Sequence, residues 1–216
     1  GEREGGGADA PAALRLLIVG DSSAAGVGVA MQCDALTGQL ADELGRRGIA
    51  PLRWRLAAAT GAEAADAPAL LAPLGNEPFD VAIAVFGVND TTALRPPQRY
   101  LAAVERATEM LRQRHGVRAV LWSGLPPMHR LPALPQPLRW VLGSHARVLD
   151  RSLAAWCRRS DRADAPLRHV PLAIEGDRTL IASDGFHPAT GACRVWARLL
   201  ADAICRIPDL TERSTT

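Results

Sequence analysis

Two stretches of strand length, Leu16–Val19 and Val81–Phe86, contain no polar residue. A strand wetted on one side alternates apolar with polar side chains. A strand without alternation must be covered on both faces, as the central strands of a parallel sheet are. The rest of the chain supplies the cover. The first run, Leu16-Leu17-Ile18-Val19-Gly20, leads to a helix over Asp34–Arg47 with Leu36, Leu40 and Leu44 on one face. A strand over Leu52–Ala59 and an alanine-rich helix over Ala62–Leu71 come next, then a strand over Phe79–Phe86. The helix over Pro97–His115 carries Leu101, Val104, Thr108 and Leu111 as a stripe, and a strand over Val117–Trp122 follows it. The series closes with a helix over Leu138–Arg159, a short strand over Leu167–Leu172 and a helix over Pro188–Arg206.

Strands alternating with helices predict an α/β fold in three layers, α/β/α, around a five-stranded parallel sheet with right-handed crossovers. The flavodoxin-like strand order 2-1-3-4-5 accommodates five such units. At 216 residues the chain is long enough for one full core. We expect a flexible lead-in over residues 1–12, a single domain over 13–208 and a tail over 209–216. The formal net charge of +2, without a dense basic run, argues against a nucleic-acid partner. Arg46-Arg47 and Arg158-Arg159 read as solvated helix ends. No apolar run approaches the roughly 18 residues of a membrane span. The sequence starts at glycine, and both a cytoplasmic and a cell-envelope or secreted location stay open. Cys33, Cys157, Cys193 and Cys205 form no C-x-x-C pair. Cys193 and Cys205 share the last helix, where twelve residues at about 1.5 Å each hold them roughly 18 Å apart. Reduced, buried thiols are expected, and no zinc site.

In a parallel sheet the carboxyl ends of all strands share one edge, where ligands bind. Four segments fall at strand ends or just before the last helix: Gly20-Asp21-Ser22, Gly61, Gly87-Val88-Asn89-Asp90 and Ser183-Asp184-Gly185-Phe186-His187-Pro188. Taken together they can fill every role of ester cleavage by a hydroxyl nucleophile. Ser22 can attack, His187 can take its proton, and Asp184, one turn away, can orient the imidazole. The N–H groups of Ser22 and Gly61 with the amide of Asn89 can receive the oxyanion. Each segment alone has a plainer reading. Ser22 or Ser23 could cap the next helix, Gly87–Asp90 and Asp184-Gly185 are turn-forming, and His187-Pro188 could simply begin a helix. Asp21 and Asp90 read at least as well as anchors of their own loops as they do as catalytic groups. A cation held by Asp21, Asp90, Asp184 and His187 would cost the asymmetry that orients a base.

With GDSSAAG at Gly20–Gly26, GVND at Gly87–Asp90 and SDGFHP at Ser183–Pro188, the chain resembles the SGNH hydrolases, also called GDSL-type esterases and lipases. The resemblance runs from Gly20 to Pro188 in the family's order of blocks. It implies Ser22 as nucleophile, Asp184 and His187 as the rest of the triad, and Ser22, Gly61 and Asn89 as the oxyanion hole, with neither metal nor cofactor. The block at Ala59-Thr60-Gly61 lacks the asparagine often found before the family's glycine, and Ser23 stands where an aliphatic residue is common. No G-x-S-x-G elbow, phosphate loop or dinucleotide fingerprint competes.

The expected function is therefore hydrolysis of small-molecule carboxylic esters through an acyl-enzyme. The proline-rich, apolar loop from Leu125 to Leu138 is suited to wall a pocket for a short or medium acyl chain. A carbohydrate O-deacetylase, a lysophospholipase or a thioesterase would use the same triad. A non-catalytic module holding an anion on the Gly20–Gly28 loop is the alternative from another class. Among the remaining histidines, His115, His145 and His169 read as surface or helix-end residues, and His129 could approach the substrate.

Overall fold

The computed structural model describes residues 2–3, 14–172, 178–207 and 210. The expected lead-in (1–12) and tail (209–216) fall outside these residues apart from Glu2–Arg3 and Leu210. Five parallel strands form the sheet: β2 (Leu14–Gly20), β3 (Leu52–Ala58), β4 (Val81–Val85), β5 (Ala119–Ser123) and β6 (Leu167–Val170). Numbered from β2, their spatial order is 2-1-3-4-5, as the alternation of elements predicts. A two-residue strand, β1 (Glu2–Arg3), adds antiparallel pairing to β3 at the sheet's edge. No helix among the described residues is long and apolar enough to cross a membrane.

The uninterrupted apolar runs are covered on both faces. Leu17 and Val19 of β2, Ala82 and Ala84 of β4 and Val120 and Trp122 of β5 point into one core. Helices α3 (Ala67–Leu71), α5 (Pro97–His115) and α6 (Leu138–Ser160) close that side. The alternate residues Leu16, Ile18, Val81, Ile83, Ala119 and Leu121 meet α2 (Leu36–Arg46) and α7 (Thr190–Cys205) on the other. The period of two sorts side chains between two dry layers, so neither face tolerates a polar residue at the centre.

Most element ends shift by one or two residues from the sequence expectation, and three elements differ in kind or start. The helix expected over Ala62–Leu71 is a 3₁₀ turn (Ala64–Asp66), then α3, then a second 3₁₀ turn (Ala72–Leu74). Pro68 and Pro73 each lack the N–H that a continuous helix needs, so the chain changes pitch at each. The last helix begins at Thr190 because Pro188 is bridged back to Ile181 and the Ala189 N–H donates to Leu180 O. Gly87–Asp90 is more than a turn: it opens a short helix, α4 (Val88–Thr92). The cysteines are all free, but Cys33 is exposed and Cys205 half-buried, so the expectation of buried thiols holds only for Cys157 and Cys193.

Candidate active site

Strand β2 ends at Gly20, where any Cβ would lie 2.4 Å from the carbonyl oxygen of Val85 and 2.8 Å from Ala24 Cβ. Only glycine lets the neighbouring strand and the first turn of α1 (Ser22–Ala25) close together over this strand end. The Asp21 N–H donates to Val85 O at 3.0 Å, continuing the ladder by one bond. Asp21 then caps α1, its Oδ1 accepting from the Ser23 N–H at 2.8 Å. The cap is therefore Asp21 and neither serine, which frees the Ser22 hydroxyl from the helix. The Ser22 N–H, at the first helical position, has no carbonyl four residues back within the helix.

His187 approaches from the loop before α7. The His187 carbonyl accepts from the Ala182 N–H at 2.8 Å and the Gly185 N–H donates to Ala182 O at 2.9 Å, which closes the loop on itself. Ser22 Oγ lies 3.0 Å from His187 Nε2, and His187 Nδ1 lies 2.6 Å from Asp184 Oδ2. The other carboxylate oxygen of Asp184 accepts from the N–H groups of Phe186 (2.8 Å) and His187 (3.0 Å). Partial burial opposes ionisation of Asp184, but the hydrogen bonds from the His187 ring and the two backbone N–H groups outweigh it and bring its pKa down to about 2. A fixed carboxylate on Nδ1 selects the tautomer whose Nε2 can accept the serine proton.

The third side comes from the loops after β3 and β4, the two strands flanking β2. Gly87, at φ +120°, turns the chain sharply out of β4, and Leu125 fills the space where a Cβ would sit. Asn89 follows, its Nδ2 donating to Ala62 O at 2.9 Å. This bond commits one amide hydrogen and orients the other. Next to it, Asp90 Oδ2 accepts from the Ala64 N–H at 3.1 Å. Two consecutive residues thus bolt the loop after β4 to the loop after β3, which carries Gly61 at φ +83° and exposed. Burial pushes the carboxyls of Asp21 and Asp90 up to about 6 each, although backbone N–H donors partly offset it. Among the described residues, no group of three or more His, Cys, Asp or Glu side chains is placed to hold a metal ion.

Beside His187 a cleft runs between the ends of β4 and β5 and the proline-rich loop. Its walls are largely apolar: Phe86, Val88, Pro126, Pro127, Leu131, Ile181 and Phe186, with Ser23 and His187 at one end and Arg130 on the rim. Leu125, Met128, Leu131 and Leu134 of the loop are buried, and Leu138 is exposed. His129 does not line the cleft. Its backbone and Cβ press against Gly143 of α6, where a Cβ would be only 2.5 Å from His129 Cβ. His115 ends α5 as expected but is buried, with Nδ1 2.8 Å from Glu77 O. His169 lies within β6, its Nε2 2.8 Å from Asp150 Oδ1. That oxygen also accepts from the Leu125 N–H at 2.9 Å, so an Asp150–His169 pair holds the start of the cleft wall. No sequence signal marks this pair: its members are on different elements, α6 and β6, and meet only because that helix packs against that strand.

A family model, the GDSL-like lipase/acylhydrolase family, matches residues 18–192. The chain belongs to that family. It is an ester-bond hydrolase, with the three-layer fold of its family. Among solved structures the chain is similar to TesA, with 21% identity, a TM-score of 0.65, and coverage of 88% of this chain and 97% of that one. It is also similar to a carbohydrate esterase family 3 protein from Talaromyces cellulolyticus (13% identity, TM-score 0.69, 89% and 97% covered). A third is the psychrotrophic esterase EstA from Pseudoalteromonas sp. (16%, 0.59, 89% and 97%). A search of curated protein sequences gave no match.

Proposed function

We propose that this GDSL-type hydrolase cleaves small carboxylic esters with short or medium acyl chains through a Ser22 acyl-enzyme. The observation that carries the reading is the continuous chain Ser22 Oγ–His187 Nε2 (3.0 Å) and His187 Nδ1–Asp184 Oδ2 (2.6 Å). His187 Nε2 takes the hydroxyl proton as Ser22 Oγ bonds to the ester carbon, and Asp184 stabilises the imidazolium that forms. The oxyanion is received by the N–H groups of Ser22 and Gly61 and by the amide hydrogen of Asn89 that Ala62 does not engage. His187 returns the proton to the leaving alcohol. Water then attacks the acyl carbon by the same route, releasing the acid and restoring Ser22. The apolar cleft beside His187 favours an acyl chain over a sugar ring, which would require polar partners for its hydroxyls.

The test is fluorophosphonate labelling with mass-spectrometric mapping. Ser22→Ala abolishes the label and ester hydrolysis, whereas Ser23→Ala keeps both. A label on Ser23, or none on the wild type, overturns the assignment, and the second result would return the chain to a binding role. A panel of p-nitrophenyl esters beside an acetylated sugar then separates the acyl reading from deacetylation. Chain length controls kcat/KM in the first, sugar identity in the second.

A further inference from the structure

The outer face of α6 is unusual for a surface helix. Trp140 is 66% exposed, and Leu138, Val141 and Val148 of the same helix are also exposed. Leu94, another exposed large apolar side chain, precedes Arg95, whose carbonyl lies 3.0 Å from His145 Nε2 on the same helix. Val141 and Val148 flank His145 at helical spacing and form one stripe, and Trp140 lies beside it on the outer row that carries Arg147 and Arg151.

The helix itself is strongly basic around the stripe, and the Glu63 carboxylate next to it is paired with Arg95. From Leu138 to Arg151 the helix carries Arg139, Arg147 and Arg151 and a single acid, Asp150. Asp150 is turned inward to the Leu125 N–H and His169. Arg139 donates to Leu134 O and Pro132 O, so its guanidinium straps the proline-rich loop to the helix without losing its charge. Arg130 adds a further cation on the rim of the cleft. The turn Met128–Arg130 packs directly on α6 at Gly143, so the stripe and the mouth of the cleft share one loop.

We propose that this face docks the enzyme on an anionic lipid surface. Tryptophan and aliphatic side chains flanked by arginines suit the boundary between headgroups and acyl chains, where apolar burial and attraction to anionic lipid add. A second copy of the chain fits poorly, since a two-fold contact would set these arginines against themselves. Docking would present the open cleft to esters dissolved in the lipid. That consequence rests on the proposed esterase function; the docking itself does not.

The test measures binding apart from catalysis, by co-sedimenting the full-length Ser22→Ala protein with vesicles. Vesicles of phosphatidylcholine alone are compared with vesicles that also contain phosphatidylglycerol. Binding is expected only to the second kind and is expected to weaken with salt. Trp140→Ser should lower the partition coefficient about tenfold, as loss of one buried large apolar side chain does. Arg147→Glu should lower it by a similar factor. Both substitutions, made with Ser22 intact, should leave p-nitrophenyl acetate hydrolysis and the melting temperature unchanged, showing that the fold is preserved. The proposal is overturned by absence of binding, by equal binding to both vesicles, by wild-type binding of Trp140→Ser, or by a dimer that Trp140→Ser dissolves. A protein that binds vesicles but hydrolyses no ester would instead overturn the proposed function.

Discussion

Asn89 ties two loops together, and the oxyanion role proposed for the same nitrogen can be told apart from that tie. One amide hydrogen goes to Ala62 O; the other is assigned to the oxyanion. Asn89→Ala should reduce kcat about 10²–10³-fold with little change in KM, the mark of a donor used mainly in the transition state. If KM rises while kcat holds, the residue serves only to tie the loops. The residues of this site differ in how readable they are. Ser22, Asp184 and His187 stand in short motifs whose spacing is itself chemical: one turn separates the carboxylate from the imidazole it orients. Asp21 and Asp90 are adjacent to those motifs, yet their partners could not be read. The Asp21 cap depends on which of three consecutive polar residues takes the capping dihedral, and Asp90 answers to Ala64, on another loop.

At the scale of elements, apolar runs and stripes located strands and long helices well because burial on a sheet face imposes its period directly on the sequence. Short elements escaped that logic. In α4 both the N–H and the hydroxyl of Thr91 bond Gly87 O, a helix built from turn-forming residues that no apolar period announces. The wall of the cleft escaped it too, since its anchor lies on α6 and β6. Asp150 Oδ1 holds the Leu125 N–H, and Leu125 packs on Gly87, from which α4 and Asn89 start. Asp150→Ala leaves that N–H without its acceptor, a loss of about 1–3 kcal/mol. It should lower the melting temperature by roughly 2–10 °C. Its more specific consequence is on the cleft: KM for longer p-nitrophenyl esters should rise several-fold, more than for the acetate, as is usual when a wall rather than a reacting group is disturbed. Asp150→Asn, which keeps an acceptor oxygen, should restore most of both. An equal effect on every chain length would reduce Asp150 to a purely structural role.

Across the whole molecule, the alternation of strands and helices made the layers and the strand order legible, and with them the edge on which distant motifs meet. It could not reveal what assembling that edge does to the carboxylates gathered there. Asp21 and Asp90 are buried at the ends of β2 and β4 with pKa values raised to about 6, from an unfolded value near 4. Between about pH 4 and 6 the folded chain therefore binds more protons at these groups than the unfolded chain, so their contribution to stability improves as pH falls. They burden the fold fully above pH 6 and are relieved below pH 4. Other carboxylates have the opposite sign, two of them at least partly buried. Asp184, at about 2, and Asp80, lowered against its own burial by hydrogen bonds from the Arg15 guanidinium and N–H, contribute stability above the ordinary carboxylate pKa. That stability is lost as pH falls through their depressed values. The double substitution Asp21→Asn/Asp90→Asn keeps an acceptor oxygen toward Ser23 and Ala64 while removing both charges. It should raise the melting temperature most at pH 7–8, with the advantage over the wild type shrinking as the pH is lowered from 6 to 4. Below pH 4 both proteins should weaken together as Asp184 and Asp80 protonate. Melts recorded from pH 3 to 8 decide it: a gap that stays constant from pH 4 to 8 would mean that neither buried carboxylate is held above its ordinary pKa. The two acids would then be only hydrogen-bonding anchors of the edge that carries Ser22.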